Sequence, residues 1–191
     1  MKIILASTSP RRKELLTQMG IEFEVKSPEI EEDMQQKVNF EKLSEILSKQ
    51  KCEDVFNRTK GNRLVIGSDC MVYFNKHLLG KPHSREDAIN MLTMLSGKWH
   101  KVVSGLCVMV QDKNGTREYL CHDVTKVKFK KLSTLDIERY IDSGEYADMA
   151  GSYAIQGGAG MFVEKIVGNL STVIGIPTHK LHDILKQENI L

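Results

Sequence analysis

The run Ser7-Thr8-Ser9-Pro10-Arg11-Arg12-Lys13 gathers three hydroxyls, a proline and three cations. The apolar stretch Ile3 to Ala6 before it has the pattern of a buried strand, and Ser9 followed by Pro10 marks a helix start that Gly20 later stops. The run therefore sits at a helix N-terminus, where free N–H groups and the positive end of the dipole suit an anion. Three cations there repel the dipole by roughly 0.3–1 kcal/mol each, so a purely structural first turn would carry Asp or Glu. Strain of this sign suggests a phosphate site, and removing Arg12 should stabilise the bare helix slightly. The plainer alternative is that the arginines point into water. No G-x-x-x-x-G-K-[ST] occurs, so this is not a P-loop.

Two groups of acids come next. Glu29-Ile30-Glu31-Glu32-Asp33 has the composition of a solvated loop. Asp69 instead closes the apolar run Leu64 to Ser68, and Cys70, Met71 and Val72 behind it leave little reason for a surface acid. Strand ends are where α/β sheets place their sites. Mg²⁺ takes one or two carboxylates plus substrate phosphate, so Asp69 with Glu32 is the candidate metal set. Gly80-Lys81-Pro82 presents one lysine on a rigid turn. Lys51 lies at the edge of a helical apolar stripe, where it is either a further cation or a side chain that snorkels. Ala150 to Gly160 holds four glycines and Gln156, whose amide can both donate to and accept from a base edge. The six histidines are scattered, and none is assigned to catalysis.

The elements that must position these residues follow from periodicity. Besides the first strand and helix, the pattern predicts a strand over about Phe23 to Lys26. A helix follows over Phe40 to Val55 with Leu43, Ile46 and Leu47 on one face. A hairpin is expected around Asn75-Lys76. A helix capped at Ser84 should carry Ala88, Met91, Leu92 and Leu95 inward. Strands over about His100 to Gln111 and Thr116 to Phe129 flank a turn at Asp112 to Gly115. A helix near Leu135 to Ile141, the glycine-rich loop, short strands, and a last helix from about Thr178 with Leu181, Ile184 and Leu185 inward complete the chain. Helices alternate with strands but hairpins interrupt them, which predicts an α/β fold with a mixed sheet flanked by helices rather than a purely parallel one.

Composition narrows the classes. With 191 residues, 41% hydrophobic and 27% charged, the chain is expected to be one domain over 1–191 and not disordered. The balance of 27 basic to 25 acidic residues is too even for a dedicated nucleic-acid binder, so an anionic ligand must meet a local basic cluster. No apolar run approaches the ~18 residues of a membrane span. The four cysteines form no C-x-x-C, and the start lacks a signal-peptide pattern, so a cytoplasmic location with reduced thiols is expected.

Taken in order, Leu5-Ala6-Ser7-x-Ser9-Pro10-Arg11-Arg12, Gly67-Ser68-Asp69, Leu79-Gly80-Lys81-Pro82, Leu95-Ser96-Gly97, Asp148-Met149-Ala150-Gly151, Tyr153-Ala154-Ile155-Gln156-Gly157 and Gly175-Ile176-Pro177 resemble the Maf family of nucleoside triphosphate pyrophosphatases. The resemblance spans essentially the whole chain. It implies an elongated inosine-triphosphatase-like fold and hydrolysis of a nucleoside triphosphate to the monophosphate and pyrophosphate with a divalent metal, Mg or Mn. The Tyr153 to Gly157 segment resembles the branch acting on dTTP and UTP. The resemblance places Asp69 at the proton acceptor. It places Arg11, Cys70 and Gln156 at specificity positions, and Ser7, Arg12, Glu32, Lys51 and Lys81 at other active-site positions. Cys70, Met149 and Ala154 depart from the usual threonine, lysine and glycine. The expected partner is the nucleotide, with no nucleic acid and no membrane, and a homodimer is left open. The competing reading is a nucleotide-binding regulator linked to cell division with little turnover.

Overall fold

The computed structural model describes residues 1–31 and 36–191, so Glu32 and the end of the acidic run lie outside the described residues. The expected mixed sheet with flanking helices is what forms. Among the described residues seven strands form the sheet, in the order β2 (Glu24–Val25), β1 (Lys2–Leu5), β3 (Arg63–Phe74), β5 (Trp99–Asp112), β6 (Gly115–Phe129) and β7 (Val163–Val167), with β4 (His77–Leu79) paired to β3. The chain divides into two compact units, and three long strands belong partly to each: β3 (Arg63–Phe74), β5 (Trp99–Asp112) and β6 (Gly115–Phe129).

The first unit comprises Met1–Asp69, Ser104–Asp123 and Gly175–Leu191. In it β1 (Lys2–Leu5) runs parallel to both β2 (Glu24–Val25) and β3, with Ile4 opposite Glu24 and Val65. The helices are α1 (Pro10–Gln18), α2 (Phe40–Asn57) and a last helix, Thr178–Gln187. Gly20 takes a positive φ of 71°, the left-handed turn that ends α1. Asn39 caps α2 by accepting from Lys42 N–H at 2.8 Å. Its buried face runs Leu43, Ser44, Leu47, Ser48, Lys51, Cys52, Val55 and Phe56, while Ile46 is only half-buried. That face is rich in small residues because it rests on sheet backbone. A Cβ on Gly67 would lie 2.4 Å from Ser48 O, and one on Gly105 would lie 2.0 Å from Ser44 O. Around this contact Ile4, Ala6, Cys52, Val55, Phe56, Val65, Cys107 and Met109 form an apolar cluster.

The second unit comprises Cys70–Val103 and Val124–Ile174. The expected hairpin joins β3 to β4 (His77–Leu79), with Phe74 opposite His77 and positive φ at both Asn75 (49°) and Lys76 (66°), as a two-residue turn of primed type requires. In α3 (Arg85–Leu95), Ala88, Met91, Leu92 and Leu95 are all buried, as the stripe predicts. Ser84 caps it by accepting from Asp87 N–H at 3.1 Å, and Asp87 reaches back to His83 N–H at 2.9 Å. Ser133 and Asp136 form a full capping box at α4 (Thr134–Asp142), which the periodicity alone did not show. The glycine-rich segment folds into short 3-10 turns at 150–152 and 158–162. A single strand follows, β7 (Val163–Val167), rather than several. A short helix, α5 (Leu170–Ile174), then precedes the last one, here numbered α6. Five apolar or hydroxyl residues in a row leave α5 without a helical stripe to detect. Packing in this unit centres on Phe129, whose ring meets His100, Tyr153 and Phe162 edge-on. No helix among the described residues is long and apolar enough to cross a membrane.

Candidate active site

In the first unit, Ser7, Arg12, Lys51 and Asp69 are each tied to named partners. Ser7 is buried, and its hydroxyl accepts from Ser9 N–H at 3.2 Å and from Arg12 Nη1 at 3.3 Å. Arg12 Nε donates to the carbonyl of Gly175 at 3.2 Å. The guanidinium is therefore half-buried and fixed at both ends instead of pointing into water. Arg11 is also half-buried. The first turn of α1 contains no acid and no side chain caps it, which keeps that helix end open to an anion.

Beside this, Ser68 is fully buried, and its hydroxyl lies 2.6 Å from Gly105 O and 2.7 Å from Gly175 O. The Gly175 carbonyl thus meets both Arg12 and the Ser68 hydroxyl, whose single proton is shared with the Gly105 carbonyl. Gly175 has φ of +133°, and a Cβ there would lie 3.2 Å from Arg12 Nε, so its glycine identity makes room for the arginine.

Side chains alternate along a strand, so Asp69 faces the side of β3 that Gly67 opens to α2. The approach permitted by Gly67 and Gly105 brings Lys51, one turn beyond Leu47, onto the sheet. Its ammonium lies 2.5 Å from Asp69 Oδ1, with Lys51 7% and Asp69 6% exposed. Lys51 does not snorkel. β3 also continues through Asp69 to Phe74 instead of ending at the acid, because the apolar run resumes at Met71. Burial of both charges is tolerable only because they are paired. Among the described residues no three His, Cys, Asp or Glu side chains come together to hold a metal. Mg²⁺ does not need such a cage. Asp69 has a second carboxylate oxygen besides the one at Lys51, and a hard oxygen of that kind is the donor it takes.

The other sequence candidates lie in the second unit. Cys70 is half-buried, its thiol 3.7 Å from Thr172 O. Lys81 is exposed and pairs with Asp148 at 2.5 Å. Gly151 N–H donates to Gly80 O at 3.0 Å, tying the lysine's turn to the start of the glycine-rich segment. Gly151 adopts φ of +68° with Val72 3.0 Å from where a Cβ would stand. Tyr153 is buried, and its hydroxyl is 2.8 Å from His100 Nε2. Burial pushes the Tyr153 phenol well above its ordinary range. Ala154 N–H donates to the Tyr140 hydroxyl at 3.0 Å. These buried anchors leave Gln156 exposed at the tip of the turn that Gly157 N–H closes onto Ala154 O at 3.0 Å.

The family profile described as Maf-like protein matches residues 2–188. The chain belongs to the Maf family. A protein of Aquifex aeolicus named dTTP/UTP pyrophosphatase is 43% identical over 100% of this chain and 97% of its own length. One of the same name from Desulforamulus reducens is 44% identical over 96% and 95%. Among solved structures, a HAM1 protein from Coxiella burnetii aligns over 98% of this chain and 99% of its own at 14% identity and a TM-score of 0.47, a distant likeness only.

In this Maf chain three contributors escaped the residue-type reading. The Gly175 carbonyl holds Arg12, the Ser68 hydroxyl bonds that same carbonyl, and neither residue is charged. Gly105 carries no functional group at all, though a lone glycine inside a strand, here between Ser104 and Leu106, is a sign of close backbone approach.

Proposed function

We propose that the chain hydrolyses nucleoside triphosphates, dTTP and UTP in preference to others, to the monophosphate and pyrophosphate. The observation that carries this is the buried Lys51–Asp69 pair, a carboxylate fixed by a cation where an apolar strand has no structural use for one. Family membership and the names of the relatives support the same reading.

In this reading the oxygen of water attacks the α-phosphorus, the bond from that phosphorus to the bridging oxygen breaks, and pyrophosphate leaves. Asp69 accepts a hydrogen bond from the water and takes up its proton. Lys51 holds that carboxylate in place. Arg12, locked by Ser7 and Gly175, presents a preset cation to phosphate oxygens, and the open amides of α1 add partial positive charge. The chemistry a divalent cation supplies at Asp69, with Glu32, is neutralisation of phosphate charge and a more acidic water. Lys81 contributes a phosphate cation once Asp148 releases it. Gln156 reads the base edge by accepting from N3–H and donating to O4 of uracil or thymine. Arg11 and Cys70 fill the remaining specificity roles.

The test is kcat/KM for pyrophosphate release from UTP, dTTP, CTP and GTP with Mg²⁺ or Mn²⁺. UTP and dTTP should lead. Gln156→Glu should erode the preference, because a carboxylate cannot donate to O4. Cys70→Thr should sharpen the preference or leave it unchanged. Equal rates on GTP and UTP would reject the base preference, and no release from any nucleotide would reject the activity.

A further inference from the structure

The near-even total charge conceals a one-sided face in the second unit. Along its part of β5, His100 and Val102 are buried while Trp99 and Lys101 are exposed. Along β6, Val127 and Phe129 are buried, Lys126 is exposed and Lys128 is half-buried. Phe129 N–H donates to Lys98 O at 3.1 Å, a register that sets Trp99 beside Lys128 and Lys101 beside Lys126. On the next strand Lys165 lies opposite Lys128, and Val167 opposite Lys126.

The outward face therefore has two cross-strand rows: Trp99, Lys128, Lys165 and Lys101, Lys126, Val167. Each row puts two lysines on neighbouring strands, and like charges directly opposite one another destabilise a sheet. Among the described residues none of these four lysines makes an ion pair, whereas Lys2, Lys42 and Lys49 each pair with a glutamate. Lys128 is held only by Gly97 O at 2.7 Å. Glu164, the one acid on β7, falls at the bulge between the Lys128 and Phe129 pairings, outside both rows. Among the described residues the chain supplies the positive half of a pairing here and not the negative half.

We propose that this face binds single-stranded nucleic acid. Lysines two apart on a strand stand ~6.7 Å from each other and those on neighbouring strands ~4.8 Å, a grid that can follow a flexible phosphate backbone. Trp99 is 43% exposed at one corner of the grid, beside Lys101 and Lys128, and an exposed aromatic among cations is what a base stacks on regardless of sequence. A membrane surface fits less well. It would want an amphipathic helix with a broad apolar side, and this is a flat sheet face with Trp99 and Val167 as its apolar residues.

Trp99 is the chain's single tryptophan, so its fluorescence reports this face alone. Titration of the full chain with oligo(dT) of about a dozen nucleotides, bearing hydroxyls at both ends, should quench it saturably. Four phosphate contacts at ~0.7 each predict a log–log salt slope near −3. The double variant Lys126→Glu, Lys165→Glu should bind at least tenfold more weakly while keeping wild-type thermal unfolding and wild-type release of pyrophosphate from dTTP. In Trp99→Phe, polarisation of a labelled oligonucleotide should show binding weakened only a few-fold. Absence of quenching at low salt, equal affinity in the double variant, or displacement of the oligonucleotide by dTTP would overturn the proposal. So would tighter binding to phosphatidylserine vesicles than to the oligonucleotide. Pyrophosphate release by the same preparation keeps these outcomes separate from failure of the enzymatic reading.

Discussion

Gly105 and Ser44 touch as backbone to backbone: a Cβ added to the glycine would stand 2.0 Å from the serine's carbonyl oxygen. That contact sets the height of α2 over the sheet, and Lys51 is on the same helix two turns further on. Gly105→Ala must lift the helix. Overpacking of this kind costs ~1–3 kcal/mol, which urea unfolding would register. The more telling outcome is kinetic. Residual folded protein should turn over nucleotide at least tenfold more slowly, because the lifted helix carries Lys51 away from Asp69. Wild-type kcat in a destabilised variant would show that the approach serves packing alone.

Asp69→Asn keeps the shape and removes the proposed proton acceptor. Turnover should fall by roughly 10²-fold or more with nucleotide binding largely retained. Near-normal kcat would remove Asp69 from the mechanism.

Lys51→Met strands Asp69 as a buried charge, and breaking a buried pair from one side costs ~3–5 kcal/mol. The double variant Lys51→Met, Asp69→Asn should recover much of that loss, because nothing charged is left behind. Denaturant titration of the four proteins gives the coupling directly. If the two losses simply add, the pair is not the unit described above.

For Arg12→Ala the helix dipole alone predicts slight stabilisation. Its bonds to Ser7 and Gly175 oppose that, so the expected change in Tm is close to zero, with KM raised and kcat lowered together. Arg12→Lys should fare little better in KM, since an ammonium lacks the fork that spans two partners. A large fall in Tm would make the arginine a structural residue.

Stability should also depend on His100. Burial pushes this imidazole down to about 4, against about 6.5 in an unfolded chain. Above pH 6.5 both states are neutral and stability is level. Between 6.5 and 4 the unfolded chain gains a proton that the folded one refuses, so stability falls as pH drops, by roughly 3 kcal/mol over the window. His100→Gln should flatten that slope in urea titrations at pH 7, 6 and 5. An unchanged slope would assign it to other groups.

Much of this architecture is legible in residue order because local signals agree with one another. Pro10 after Ser9, the α3 stripe and the Asn75-Lys76 turn each specify their element without help from elsewhere. Asp69 stands out because its neighbours are apolar. What escapes is what depends on distant partners. Lys51 has the same periodic position whether it snorkels or turns inward, and the choice is made by glycines on two strands. Gly175 lacks charge, so nothing in its type announces that its carbonyl fixes Arg12, or that Ser68 bonds that carbonyl. The lysines of β5, β6 and β7 are scattered in sequence, and only strand register gathers them on one face.

Arg12 and the carbonyl that anchors it are 163 residues apart. A ribosome therefore releases the arginine early and its anchor far later, after both halves of every long strand. Until then the guanidinium has Ser7 but not Gly175 to hold it, and attracts phosphate without a fixed aim. Competence to cut a nucleotide thus arrives late in synthesis, and an unfinished chain is kept from acting on nucleotides before it is whole.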